Sequence, residues 1–312
     1  MVHRHLPPNA LLFGGPDITV LKMARLRGAA ALALLGCTLA LASRAYAHGG
    51  PPDITFWGPF PSGTAHCLRM MGRKIQRCVH EVLALQHACM DAELAGQTCD
   101  QTLRDQQIAA VKLAARSVVS TDCTGGQLTE LFFINPDDAR TDISKSCTDQ
   151  PDAVMSVAYA PALASGSSAA PDEQTRDCLV QASASSRKLL RYIVHEKTRV
   201  LDLMATNVIG KAKKTALLAR AADRVAAARQ KLAQRLLDVC PNFAAMYGQS
   251  PSDVLTKLTP IGNCVVGAAY VQTSIACPLP VCGNGIKESG EQCDDGNTID
   301  TDRCHNDCTN GQ

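Results

Sequence analysis

Residues 64–95 read TAHCLRMMGRKIQRCVHEVLALQHACMDAELA. Leu68, Met71, Ile75, Val79, Val82 and Leu83 recur there at steps of three and four, the period of an amphipathic helix. Cys67, Cys78 and Cys89 follow one another at intervals of 11 residues, almost three helical turns, so all three lie near one face. About 16 Å of helix separates each from the next, and bridged Cα atoms lie within about 7 Å, so these thiols cannot pair with one another. Each must reach a different partner elsewhere.

Working outward, Gly96-Gln97-Thr98 breaks the helix, and Thr98 or Asp100 is placed to cap the next one. That second helix is expected to run to about Ser120 with Leu103, Ile108, Val111, Leu113 and Ala114 as its apolar residues. The pair makes an αα-hairpin. A second hairpin is expected from one helical stretch over 174–207, ending near Gly210, and another over 211–239. In the latter, Leu218, Val225, Leu232 and Val239 recur at steps of seven with Ala221 and Ala228 between them, a narrow packing seam. Cys240-Pro241 stops it.

The two hairpins read as copies of one unit. Cys67 opens the first and Cys123 closes it; Cys178 and Cys240 hold those places in the second. The next cysteine follows 24 residues later both times, at Cys147 and Cys264. Opening and closing residues of an antiparallel hairpin are adjacent, which favours Cys67–Cys123 and Cys178–Cys240. Cys89 and Cys99 flank the first bend and are both missing from the second copy, as a bonded pair would be, so Cys89–Cys99 is expected too. Connectivity is not strictly deducible from spacing. The fold class expected is mainly α: two disulfide-stapled helical-hairpin units, 64–157 and 172–277, joined by a linker over 158–171. A small, loop-rich, disulfide-bonded module follows at 278–312. Ahead of them, 48–63 is a Pro/Gly-rich arm with Phe56, Trp57 and Phe60, expected to lie against the body by its aromatics.

The remaining N-terminal stretch, 1–47, reads as a secretory signal. Residues 23–27 (MARLR) are basic, 28–42 are apolar and rich in Ala and Leu, and Ala45-Tyr46-Ala47 is a small-x-small cleavage site. Pro7, Pro8 and Asp17 do not suit a signal start, which places the expected start at Met23. Leu34-Leu35-Gly36-Cys37 has lipobox form and is the competing signal, for a lipoprotein anchored at Cys37. The chain's 15 cysteines are too many for a reducing cytosol. Cleavage after Ala47 leaves 14, an even number, and 26 basic against 28 acidic residues. A charge so near zero argues against a protein dominated by nucleic-acid binding. No apolar run reaches the roughly 18–20 residues of a membrane span.

The C-terminal stretch 282–308 reads CGNGIKESGEQCDDGNTIDTDRCHNDC. It resembles the Myxococcus cysteine-rich repeat, an extracellular domain of unknown function, through CGNG, GEQCDDGN, D-x-D-x-C and a final Cys. Copies of that family usually have Gly where Thr301 and Arg303 stand. The helical region is similar to those preceding the repeat in secreted deltaproteobacterial proteins, which implies export in a Gram-negative bacterium, outside the cell or on its surface. Neither resemblance carries a catalytic residue. Physically, 27 residues cannot bury a useful core, and Cys282, Cys293, Cys304 and Cys308 supply two bridges instead. Asp294, Asp295, Asn297, Asp300 and Asp302 crowd hard oxygen ligands into a bridged loop, which suits Ca²⁺, although the EF-hand spacing is absent. The competing reading is that Asp, Asn and Gly merely make hydrated turns.

Other chemistry is poorly supported. His80 and His87 stand about 10.5 Å apart along one helix, too far to share a metal, and with His66 read as surface or packed side chains. His80-Glu81 and His195-Glu196 do not extend to H-E-x-x-H; Cys-x-x-Cys, G-x-S-x-G and phosphate-binding glycine loops are absent. A mature start at His48 would join an amine to an imidazole, a pair copper favours. His48-Gly49 resembles the start of lytic polysaccharide monooxygenases, whose β-sandwich this helical chain does not share. Residues 187–235 hold 13 Lys/Arg against three acids, whereas 91–153 hold 11 acids against five bases. The basic hairpin reads either as a face for an anionic envelope or matrix polymer or as a solvated helix pair. Its charges occupy several heptad positions rather than one stripe. The function expected is a secreted, non-enzymatic protein of cell-surface or extracellular interaction. The alternatives are an extracellular enzyme with no recognisable motif and an exported calcium- or copper-binding protein.

Overall fold

A computed structural model of the chain describes residues 58–165, 171–271, 293, 304, 305, 308 and 309. The signal, residues 48–57 of the arm and the middle of the linker lie outside these residues. Among the described residues, eleven helices form. The first five are α1 (Ser62–Leu94), α2 (Gln101–Arg116), α3 (Val118–Thr121), α4 (Gly125–Glu130) and α5 (Pro136–Ala158). The rest are α6 (Ala160–Ser165), α7 (Glu173–Thr206), α8 (Lys211–Val239), α9 (Phe243–Tyr247), α10 (Pro251–Thr256) and α11 (Leu258–Gly267). The chain is mainly α, with two disulfide-stapled hairpins and a bridged C-terminal cysteine pair.

Side-chain capping starts several helices. The Asp100 carboxylate accepts from Leu103 N–H at 2.9 Å, and Asp172 accepts from Thr175 N–H at 2.9 Å. Thr124 and Gln127 form a reciprocal capping box at α4. Gly96, at φ +72, turns the chain between α1 and α2, a conformation that favours glycine.

All six apolar residues read on α1 are buried. They pack against α5 and α7, and α11 lies across both α5 and α7. The core therefore sits among α1, α5, α7 and α11, while α2 and α8 are outer arms. This corrects two expectations. Leu103 and Leu113 are exposed, and α2 buries only Ala115, because this arm touches the core along one edge. Val239 is also exposed, because it lies on the wall of an open groove between the ends of α7 and α8. The linker is corrected in part: α5 runs to Ala158, α6 follows, and Tyr159 between them is fully buried. At the arm, Phe60 N–H donates to Ala205 O at 2.8 Å and the Phe60 ring packs on the core at the end of α7.

Both halves repeat one order: a long helix, a second helix, two short helices, a third helix. They differ where the third helix meets the first. Cys78 of α1 bonds Cys147 of α5, whereas the residue 11 beyond Cys178 is Leu189, buried in the core. There α11 approaches α7 through Gly262, where an added Cβ would lie 2.6 Å from Ile193 Cγ2. Gly262→Ala is expected to lower stability by about 1–3 kcal/mol through overpacking. Thermal unfolding checks it: Ile193→Ala added to Gly262→Ala should cost less than the two single losses combined, and simple additivity would count against the contact.

Candidate functional site

The sequence-marked cysteines close as follows. Cys67 bonds Cys123 and Cys178 bonds Cys240, with Cα atoms 4.9 and 5.3 Å apart. Cys89 bonds Cys99 across the α1–α2 bend, 5.2 Å apart. The three thiols of α1 thus reach three different segments. Cys78–Cys147 was not paired by the sequence argument, because its partner lies 69 residues away on a helix whose register only packing sets. In the C-terminal module Cys293 bonds Cys304, and Cys264 and Cys308 are also disulfide-bonded. Cys282 lies outside the described residues, as do Asp294, Asp295, Asn297, Asp300, Asp302 and His48. Among the described residues, no group of three or more His, Cys, Asp or Glu side chains is placed to hold a metal ion.

The chemistry-bearing side chains converge in the core instead. His87, on the buried face of α1, is 2% exposed. Its Nδ1 lies 2.8 Å from the Tyr159 hydroxyl at the end of α5, and its Nε2 lies 2.6 Å from Ser183 Oγ on α7. Ser183 Oγ also touches Nδ1. The Tyr159 hydroxyl donates to Asp91 Oδ1 at 2.6 Å, one turn beyond His87. Burial, helped by the Arg187 guanidinium, lowers the His87 pKa from 6.5 to about 3, so the ring is neutral at physiological pH. A neutral ring donating from Nδ1 to Tyr159 and accepting at Nε2 from Ser183 satisfies every partner. Burial and the bond to Asp91 raise the Tyr159 phenol well above its ordinary value.

Ser, His and Asp in one network invite a nucleophilic reading. Access argues against it: Ser183 is 1% exposed and Tyr159 is sealed from solvent. A ring that protonates only near pH 3 is also a weak base. The network joins the C-terminal ends of α1 and α5 to α7, beside the small buried cluster of Leu94, Ala158, Tyr159 and Leu179, and acts as a polar pin.

The second half holds a matching pair. Tyr270 Oη donates to Asp202 Oδ1 at 2.7 Å, and Tyr270 packs on Gly72 of α1. Asp91 to Tyr159 and Asp202 to Tyr270 span the same 68 residues. Sequence reading missed this interval, although the equal Asp-to-Tyr spacing was visible beside the equal cysteine spacing.

The basic hairpin has a definite geometry. Of its 13 cations, Lys214 is buried and Arg187, Lys197 and Arg229 are half-buried; the other nine are exposed. Burial lowers the Lys197 pKa, and its ammonium donates to Asn263 Oδ1. The Arg224 guanidinium meets Glu196 at 3.0 Å, a buried carboxylate on α7. Towards the Cys178–Cys240 bridge, α7 and α8 frame a groove of about 370 Å³. Gln181, Ser185 and Lys188 line it from one helix, and Leu232, Arg235 and Val239 from the other.

Residues 263–309 match a family described as a domain of unknown function, DUF4215. The match begins inside α11, ahead of the expected module boundary at 278, and takes in Cys264. It identifies a cysteine-rich domain over that part of the chain. No curated protein and no solved structure matches the chain.

Proposed function

We propose that this chain is an exported, non-enzymatic helical scaffold that serves interaction at the cell surface or outside the cell. The observation that carries this reading is the staple pattern of α1, three thiols bonded to three separate segments along one helix. Such density belongs to an oxidising compartment. Among the described residues no helix is long and apolar enough to cross a membrane. The likeness of 282–308 to the Myxococcus cysteine-rich repeat supports the same compartment.

The test is the intact, non-reduced mass of the full chain exported by a Gram-negative host, with and without alkylation. A start at His48, no alkylated thiol and a deficit of about 14 hydrogens for seven bridges are expected. A lipidated start at Cys37 would keep the surface role and add an anchor. Alkylated thiols in the mature chain would refute the stapled scaffold.

A further inference from the structure

Eight of the nine exposed cations of 187–235, all but Lys211, form two parallel rows on one side of the hairpin. On α8, Lys213, Arg220, Arg224, Lys231 and Arg235 follow at steps of seven and four. That alternation averages close to the helical repeat, so all five lie within roughly 60° of one another over about 33 Å. The 13 cations do occupy several heptad positions, and a search at seven-residue steps alone breaks this row into separate pairs. On α7, Lys188, Arg191 and Arg199 are exposed along the flank beside it. The groove near Cys178–Cys240 shows that the two rows face the same way, because Lys188 and Arg235 line it from opposite helices, with the carboxylate of Asp238 beside them at its end. Of these eight cations, Arg224 alone forms an ion pair among the described residues.

We propose that this two-row face binds a linear, sulfated or carboxylated polysaccharide. The proposal rests on the extracellular reading above and names its partner. Charge distribution favours such an occupant: residues 187–235 carry net +10 and residues 91–153 net −6, so a polyanion is repelled from the acidic stretch that leads into and forms α5 and is steered to α7 and α8. A row of about 33 Å on α8 flanked by one of about 16 Å on α7 matches a polymer with charges repeated along its length better than a compact anion. Nucleic-acid single strands need aromatic platforms, and Tyr192, half-buried, is the one Phe, Tyr or Trp on either helix. A lipid surface needs apolar side chains among the cations. Of the exposed large apolar residues nearby, Leu203, Val208 and Leu237 lie beyond the ends of the rows, and Val239 alone lines the groove with Lys188 and Arg235.

The experiment measures binding of a linear sulfated dodecasaccharide to the oxidised full chain at physiological ionic strength. The competitors are neutral dextran, duplex DNA and phosphatidylglycerol vesicles. Replacing Lys188, Arg199, Arg220, Lys231 and Arg235 by Gln should weaken binding by about 30-fold or more and flatten its salt dependence. Arg224 is left in place because removing it would strand buried Glu196. Replacing Arg73, Arg77, Lys112, Arg116 and Lys145 by Gln removes as much charge elsewhere and should cost about 3-fold or less. Circular dichroism keeps a folding failure apart from lost binding. Equal losses in the two variants, no binding by the parent chain, or tighter binding to DNA or vesicles would overturn the proposal. Failure of the extracellular reading would appear separately, as free thiols or absent export.

Discussion

Replacing Cys78 and Cys147 together by Ala should lower the unfolding free energy by about 4 kcal/mol, even with the short cut through Cys67–Cys123 left in place. Both sulfurs are buried, and their bond is the one covalent tie between α1 and α5 among the described residues. Cross-linking residues 69 apart removes more freedom from the unfolded chain than cross-linking residues 10 apart, as Cys89–Cys99 does. Removing Cys89–Cys99 should therefore cost about 1–2 kcal/mol less. Urea unfolding of the two double variants checks the order. If loss of Cys89–Cys99 proves as damaging as loss of Cys78–Cys147, loop entropy is not what these staples supply.

A second large effect is expected in acid. Unfolded, His87 takes up a proton near pH 6.5; folded, it resists until about pH 3. Between those values the unfolded state binds more protons, so stability rises with pH through the window. His87's contribution is complete above pH 6.5 and is lost progressively as pH falls toward 3. By pH 4 the loss should reach on the order of 3 kcal/mol, short of the full shift because the folded ring is still mostly neutral there. His80, half-buried and lowered by burial and then by Arg191 and Arg187, pulls the same way, so the comparison must be differential. His87→Gln should be less stable than the parent at pH 7 and lose less on going to pH 4. Urea midpoints at both values for both proteins decide it. Parallel losses would mean that the imidazole is not the group sensing acid.

These effects lie at different depths of legibility. The burial of Leu68, Met71 and Ile75 was readable because a single helix displays its own period. The bridges across hairpin ends were readable for the same local reason, since an antiparallel return makes first and last residues neighbours. The exposed row of α8 is also local information, hidden only because seven-residue steps are the wrong ruler for it. The solvated position of α2 was not readable: Leu103 and Leu113 resemble core residues until the packing of α1 against α5 and α7 leaves nothing to cover them.

The sequence by itself determined an α-helical chain of two similar stapled hairpins with a cysteine-rich C-terminal motif. Periodicity, breakers and cysteine intervals act within one or two elements, where chain connectivity restricts the outcomes. The tertiary structure alone decided that Cys78 meets Cys147. It alone decided that His87, Tyr159 and Ser183, up to 96 residues apart, share one sealed network. It alone set the exposed row of α8 and the exposed flank of α7 on one side of their hairpin. Each depends on the rotation and register of one packed helix against another, which the fit of whole faces sets and no short stretch encodes.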